Sequence, residues 1–161
     1  MKLKSLYAIL FCIFMTGCLD GQKQSDHSIL IAYMSTEYPE LGSSVCYLNE
    51  QGDTIVPFGK YHYGGSDTIR HIGFVMEPHK PGWTTINNKG EKLFYAFSFD
   101  NGPDYVEEGL FRIINDEMLM GFADTLGNVV IKPQFAFVWP FKDGKAEVTY
   151  TCLLYTSGRC R

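Results

Sequence analysis

A turn signature returns three times along the chain at nearly constant spacing, and it restricts the possible folds more tightly than any other feature. Asn49, Asn87 and Asp124 each stand three residues before a glycine: Gly52, Gly90 and Gly127. The glycines are 38 and 37 residues apart. A large or apolar residue lies seven positions before each one: Val45, Trp83 and Met120. A polar residue follows each glycine, and after one or two such residues comes an apolar pair, read as Ile55-Val56, Leu93-Phe94 and Val129-Val130. A second landmark follows downstream as Gly73-Phe-Val, Gly109-Leu-Phe-Arg-Ile and Gly144-Lys-Ala-Glu-Val, with spacings of 36 and 35. Two landmarks sharing almost one period mark a repeat architecture, in which one unit cannot bury its apolar face without a neighbour.

The physics of the unit is local. An Asn or Asp side chain bonds to backbone just downstream, and glycine adopts positive φ at no steric cost, so Asx-x-x-Gly is turn chemistry. Short apolar and β-branched runs flank each signature, which predicts a hairpin. Each unit reads as strand, turn and strand, then a looser segment ending in a Gly-led strand. In the third unit, Asp124 to Gly127 is expected to turn between strands near 119–123 and 129–131, with Gly127 at positive φ. Trp83 and Met120 are expected at matching buried positions. No window shows a capped helical period; the best candidate, near Asp104 to Glu108, amounts to one turn.

These residues resemble the WG-repeat family of bacterial proteins. Its pattern is a Trp-Gly pair, an apolar pair, Asp or Asn, two polar residues and Gly, then apolar residues with Pro and an aromatic, ending in Phe-x-x-Gly-x-Ala-x-Val. The third unit matches through Gly121-Phe122, Asp124, Gly127, Ile131, Pro133, Phe135, Phe141, Gly144, Ala146 and Val148, with Met120 in place of Trp. The second unit keeps Trp83 but has Thr84 for Gly, and the first has Val45-Cys46. The resemblance covers residues 45 to 150. It implies an all-β fold of tandem hairpin repeats (about 45–80, 83–115 and 120–150) stacked in an array over 28–151. The role it implies is binding rather than chemistry.

The ends of the chain carry different information. Lys2 and Lys4 precede an apolar run from residue 5 to 15, which is too short for a bilayer span of roughly 20 residues but suits a signal peptide. Met15-Thr16-Gly17-Cys18 follows and resembles a bacterial lipobox. The resemblance implies a lipoprotein signal peptide at 1–17, with Cys18 acylated as the membrane anchor. Multiple acyl chains give stable anchoring. Residues 18–27 are polar and read as a tether. The expected location is the bacterial envelope. Residues 152–161, CLLYTSGRCR, resemble the translation of a transposon end used in sequencing libraries. Native sequence is therefore expected to stop near Thr151, with the natural protein continuing in other residues.

Composition narrows the functional classes. The whole chain carries a net charge of −4. Residues 18 to 151 hold 10 Lys and Arg, the 14 of the chain less Lys2, Lys4, Arg159 and Arg161, against 18 Asp and Glu. That acidic balance argues against nucleic acid as a partner. Of five cysteines, Cys12 lies in the signal peptide, Cys18 at the anchor, and Cys152 and Cys160 in the tail. Cys46 alone remains, so no disulfide framework is expected.

Reactive motifs are sparse. His62, Asp67 and His71 match no standard metal-site spacing, and they read as exposed turn residues. Tyr63-Gly-Gly-Ser66 lacks the lysine of a phosphate loop, and Gly-x-Ser-x-Gly is absent. Glu107-Glu108 and Asp116-Glu117 read as solvated edges. No metal, cofactor or catalytic residue is expected. The aromatics Trp83, Tyr95, Phe97, Phe99, Tyr105, Trp139 and Phe141 are a better lead: most belong to a core, and a minority on one face would stack on a glycan or protein partner. The expected function is an envelope-anchored, non-catalytic module binding a protein or glycan. The alternative is the N-terminal part of an envelope hydrolase or glycan-processing enzyme whose catalytic region lies beyond this chain.

Overall fold

Short β-branched and aromatic runs separated by Asx and Gly turns favour extended chain that pairs with its neighbours. The computed structural model describes residues 28–34 and 45–151, and among them it forms fifteen strands and no helix. The signal peptide at 1–17 with its lipobox, Cys18, the tether at 18–27 and the tail at 152–161 lie outside the described residues.

The strands are β1 (Leu30–Met34), β2 (Val45–Leu48), β3 (Thr54–Val56), β4 (Tyr63–Gly64), β5 (Thr68–Ile69), β6 (Ile72–Met76), β7 (Trp83–Asn87) and β8 (Lys92–Ala96). They continue as β9 (Ser98–Phe99), β10 (Gly102–Pro103), β11 (Leu110–Ile114), β12 (Met120–Asp124), β13 (Val129–Phe135), β14 (Phe137–Val138) and β15 (Val148–Thr149). A four-stranded sheet runs β3-β2-β1-β5 and a seven-stranded sheet runs β13-β12-β11-β8-β7-β6-β4. Two small pairs, β9 with β10 and β14 with β15, complete the architecture. The fold is all-β, and every strand pairing among the described residues is antiparallel. Near Asp104 to Glu108 there is no helical turn. Asp104 and Tyr105 leave β10, and a tight turn follows, with Glu108 at φ 52° and Gly109 at φ 80°.

Counted by hydrogen bonds, the unit begins one strand earlier than the sequence spacing divides it. The strand led by Gly73 pairs with the hairpin after it, through Gly73 opposite Ile86 and Val75 opposite Thr84. The strand after Gly109 likewise pairs with the third hairpin, Phe111 opposite Ala123. The unit is thus a three-stranded meander: β1-β2-β3, then β6-β7-β8, then β11-β12-β13. Units two and three join edge to edge where Ile113 and Ile114 face Ala96 and Tyr95. Edge pairing satisfies backbone groups that two separate meanders would leave open.

The return strand of each Asx-x-x-Gly hairpin carries a bulge one residue past its start. Tyr47 faces Val56 and Leu48 faces Thr54, skipping Ile55. Thr85 faces Phe94 and Ile86 faces Lys92, skipping Leu93. Phe122 faces Ile131 and Ala123 faces Val129, skipping Val130. The structural counterpart of Ile55-Val56 and Leu93-Phe94 is therefore Val130-Ile131 rather than Val129-Val130: each pair stands three and four residues after its turn glycine and begins on the bulged residue.

Central strands are buried on both faces. Trp83 to Ile86 and Met120 to Ala123 are two unbroken buried runs. One core cluster joins Leu30, Val45, Tyr47 and Val56 of the first unit to Val75 and Ile86 of the second. A second joins Trp83 and Ala96 to Phe111, Ile113 and Ala123. A third surrounds Met120 and Phe122 with Phe135 and Val138. The units are thus tied by shared cores as well as by strand pairing. Trp83 and Met120 are both buried and both open the strand that enters a turn; Val45 does the same in the first unit.

Candidate binding surface

The three Asx-x-x-Gly turns have the same geometry. Oδ1 of Asn49 accepts hydrogen bonds from the backbone N–H of Gln51 at 3.1 Å and of Asp53 at 2.8 Å. Oδ1 of Asn87 accepts from Lys89 at 2.9 Å and Glu91 at 3.0 Å. Oδ1 of Asp124 accepts from Leu126 at 3.0 Å and Asn128 at 2.8 Å. Gly52, Gly90 and Gly127 sit at φ 86°, 73° and 93°. Each donates its N–H to the carbonyl of its Asx residue, at 3.0, 3.0 and 3.1 Å. Hydrogen bonds from the Asn128 side chain and from turn backbone hold the Asp124 carboxyl below the usual range. These six residues shape the array and present no reactive group.

A fourth turn of the same form joins β11 to β12 and was not legible in the sequence. Asn115 Oδ1 accepts from Glu117 at 3.1 Å and from Leu119 at 2.8 Å. Met118 takes the place of the glycine, at φ 62°, with its side chain 68% exposed. The Asx-x-x-Gly signature carries a glycine, and here the tertiary structure holds a methionine in that backbone region instead. Glycine also has a steric role in the third unit: a Cβ on Gly121 would collide with backbone of Ile131, Lys132 and Pro133. That close approach explains why the third unit has glycine where the second has Thr84.

The aromatics divide into core and surface. Trp83 is buried, and Tyr95, Phe97 and Phe141 are half-buried. Phe99, Tyr105 and Trp139 are exposed by 47%, 60% and 38%, enough to meet a partner. Edge-to-face contacts link Phe99 to Tyr105 at 5.6 Å, Phe97 to Phe137 at 6.2 Å, and Phe137 to Trp139 at 4.9 Å. The Arg112 guanidinium bridges the two groups, 4.4 Å from the Phe97 ring and 5.7 Å from Phe99. Beneath the rings, Arg112 Nη2 and Nε reach the Asp104 carboxylate at 2.6 and 2.9 Å. The Arg112 backbone N–H donates to the same carboxylate at 2.8 Å. Both side chains of this pair are buried. A bidentate, aromatic-stacked arginine is a rigid support for Phe97 and Phe99, while Tyr105 leans on Phe99 and Trp139 on Phe137.

A 230 Å³ cleft opens beside Trp83, between Lys80, Pro81, Tyr95 and the Asn115–Met118 turn. At its mouth Lys80 and Lys92 both donate to the Tyr95 hydroxyl, at 2.9 and 2.6 Å. Glu77 pairs with Lys92 at 2.6 Å and with Lys80 at 3.5 Å, and accepts from Thr84 at 2.8 Å. Partial burial alone would raise the Glu77 carboxyl; the bonds from Lys92 and Thr84 and the two positive charges outweigh it and hold the pKa below its usual value. The bonds from Lys80 and then Lys92 lower the Tyr95 phenol.

The remaining sequence candidates are scattered. His62, Asp67 and His71 are each exposed near β4 to β6. No group of three or more His, Cys, Asp and Glu side chains gathers as a metal site among the described residues. Glu108 is an edge residue whose carboxylate accepts the Gly144 N–H at 3.0 Å. Cys46 is a buried free thiol, and burial raises its pKa, away from reactivity.

The decisive comparison is with protein families. Residues 120–150 match the family described as WG containing repeat. This segment is similar to the WG repeat. It spans β12 to β15 and includes the Asp124–Gly127 turn, the bulged Val130 and the exposed Trp139. Two more units with the same turn and the same bulge precede this segment. No curated protein and no solved structure matches the chain.

Proposed function

We propose that the protein is an envelope-anchored lipoprotein whose WG-like repeats form a non-catalytic module that binds a protein or glycan. The ridge of Phe99, Tyr105 and Trp139 carries this reading. Phe99 lies over the guanidinium of the buried Arg112–Asp104 pair, Tyr105 packs on Phe99 and Trp139 on Phe137, and exposed rings supported in this way lose little conformational entropy on contact, which is the property of a binding anchor. Cys18 is the proposed point of lipid attachment, and the acidic domain stands off an anionic membrane surface.

Two measurements test the proposal. Cells fed a fatty-acid analogue should label the wild-type chain and leave Cys18→Ala unlabelled; equal labelling would remove the anchor from the reading. For binding, the full chain should co-sediment with isolated cell-wall glycan, or photo-cross-link to an envelope protein from residue 105. Tyr105→Ala and Trp139→Ala should abolish whichever interaction is found. Trp139 emission should respond to the ligand, since Trp83 is buried. An interaction indifferent to both variants would refute the ridge as the binding surface.

A further inference from the structure

Where units two and three join, the strand ends frame the cleft beside Trp83. Trp83 opens β7 opposite Ala96, and Tyr95 of β8 faces Ile114 at the end of β11. These four residues line the 230 Å³ cleft together with Pro81, and none of the exposed ridge rings takes part. Strand pairing fixes their backbones, so the cleft is pre-formed rather than moulded by a loop. Its interior is apolar. A cavity of about 150 Å³ holds benzene, and drug-sized ligands occupy roughly 300–1,000 Å³. The body that fits is one ring or a short branched chain.

The mouth of the cleft selects charge. A phenol oxygen accepts two hydrogen bonds and donates one. Lys80 and Lys92 fill both accepting positions of Tyr95, at 2.9 and 2.6 Å. The Tyr95 O–H can then only donate, and no acceptor bonds it among the described residues. Glu77 is committed to Lys92, Lys80 and Thr84. Two ammonium groups against one carboxylate leave one positive charge over, and the Lys80 side chain is 57% exposed. A hydroxyl donor beside an uncompensated ammonium matches a carboxylate. Asp116 lines the cleft and is exposed. Its charge disfavours a second negative charge on the ligand.

We infer that this cleft is a binding site for a compact apolar monocarboxylate. The apolar body rests against Trp83 and Ile114, and the carboxylate accepts from the Tyr95 hydroxyl and the Lys80 ammonium. A free aryl or branched acid offers this chemistry, and so does the C-terminal residue of a peptide.

The test titrates hydrocinnamate into the full chain in detergent, with both tryptophans ¹⁵N-labelled. The chain has two, Trp83 and Trp139, and only Trp83 lines the cleft. Its indole signal should shift saturably, with a Kd in the millimolar range or tighter for a ligand of this size, while Trp139 stays unmoved. Hydrocinnamide, the neutral isostere, and phenyl phosphate, a dianion, should each bind more weakly. Tyr95→Phe keeps the ring and loses the donor, and Lys80→Met keeps the stem and loses the charge. Each should weaken hydrocinnamate about tenfold or more, the worth of one hydrogen bond to a charged group. N-acetylphenylalanine separates the two sources: binding tighter than hydrocinnamate assigns a peptide C-terminus, and weaker binding assigns a free acid. No shift at Trp83, equal shifts at both tryptophans, equal affinity for the amide, or undiminished affinity in either variant would each overturn the inference.

Discussion

Alanine placed at each of the three turn glycines separates backbone strain from packing. All three sit at positive φ, so each alanine carries the left-handed penalty of roughly 1–2 kcal/mol. At Gly52 no described residue lies within 4 Å of the new methyl group, and that penalty is the whole expected cost. At Gly90 the methyl would press on Val56, a stiff β-branched residue only 1% exposed, which cannot move aside. Overpacking of this kind adds about 1–3 kcal/mol. Gly90→Ala should therefore cost about 2–5 kcal/mol in all. Gly127→Ala should fall between the two, because one of its neighbours, Leu93 Cδ1, is the free end of a flexible side chain. Urea unfolding followed by far-ultraviolet circular dichroism gives the three values. Equal costs at Gly52 and Gly90 would refute the claim that the second turn is packed against the first unit.

Three further outcomes follow from the geometry. Asp104→Ala strands a buried guanidinium and should cost about 3–5 kcal/mol in urea unfolding; a cost under about 1 kcal/mol would show that the pair supports nothing. Met118→Gly should stabilise by about 1 kcal/mol, since relief of left-handed strain exceeds the extra entropy of a glycine in the unfolded chain, and a lower melting temperature would contradict it. Glu77 has a lowered folded-state pKa, so its contribution is complete above its usual value of 4.5 and is lost as pH falls through the lower folded value. Glu77→Gln should flatten that acid limb of the stability profile, and an unchanged limb would assign the effect elsewhere.

What the sequence determined by itself is what depends on few neighbouring residues. An Asx side chain reaches N–H groups two and four residues ahead, and glycine tolerates positive φ wherever it stands. The three turns, their period and the all-β class were therefore readable, as was the third unit's likeness to the WG repeat. Tertiary structure decided what depends on residues meeting from afar. The Gly-led strands pair forward with the next hairpin, which moves the unit boundary by one strand. The bulges at Ile55, Leu93 and Val130 are set by hydrogen-bond register across two strands. Met118 sits where a glycine was needed for recognition, held by Asn115 and the strands on either side. The Arg112–Asp104 support and the Glu77–Lys92–Tyr95 cluster each join residues from different strands or loops, and no spacing along the chain announces them. Turn chemistry is local and leaves a mark in sequence; strand pairing and side-chain clusters form only when distant segments close on one another.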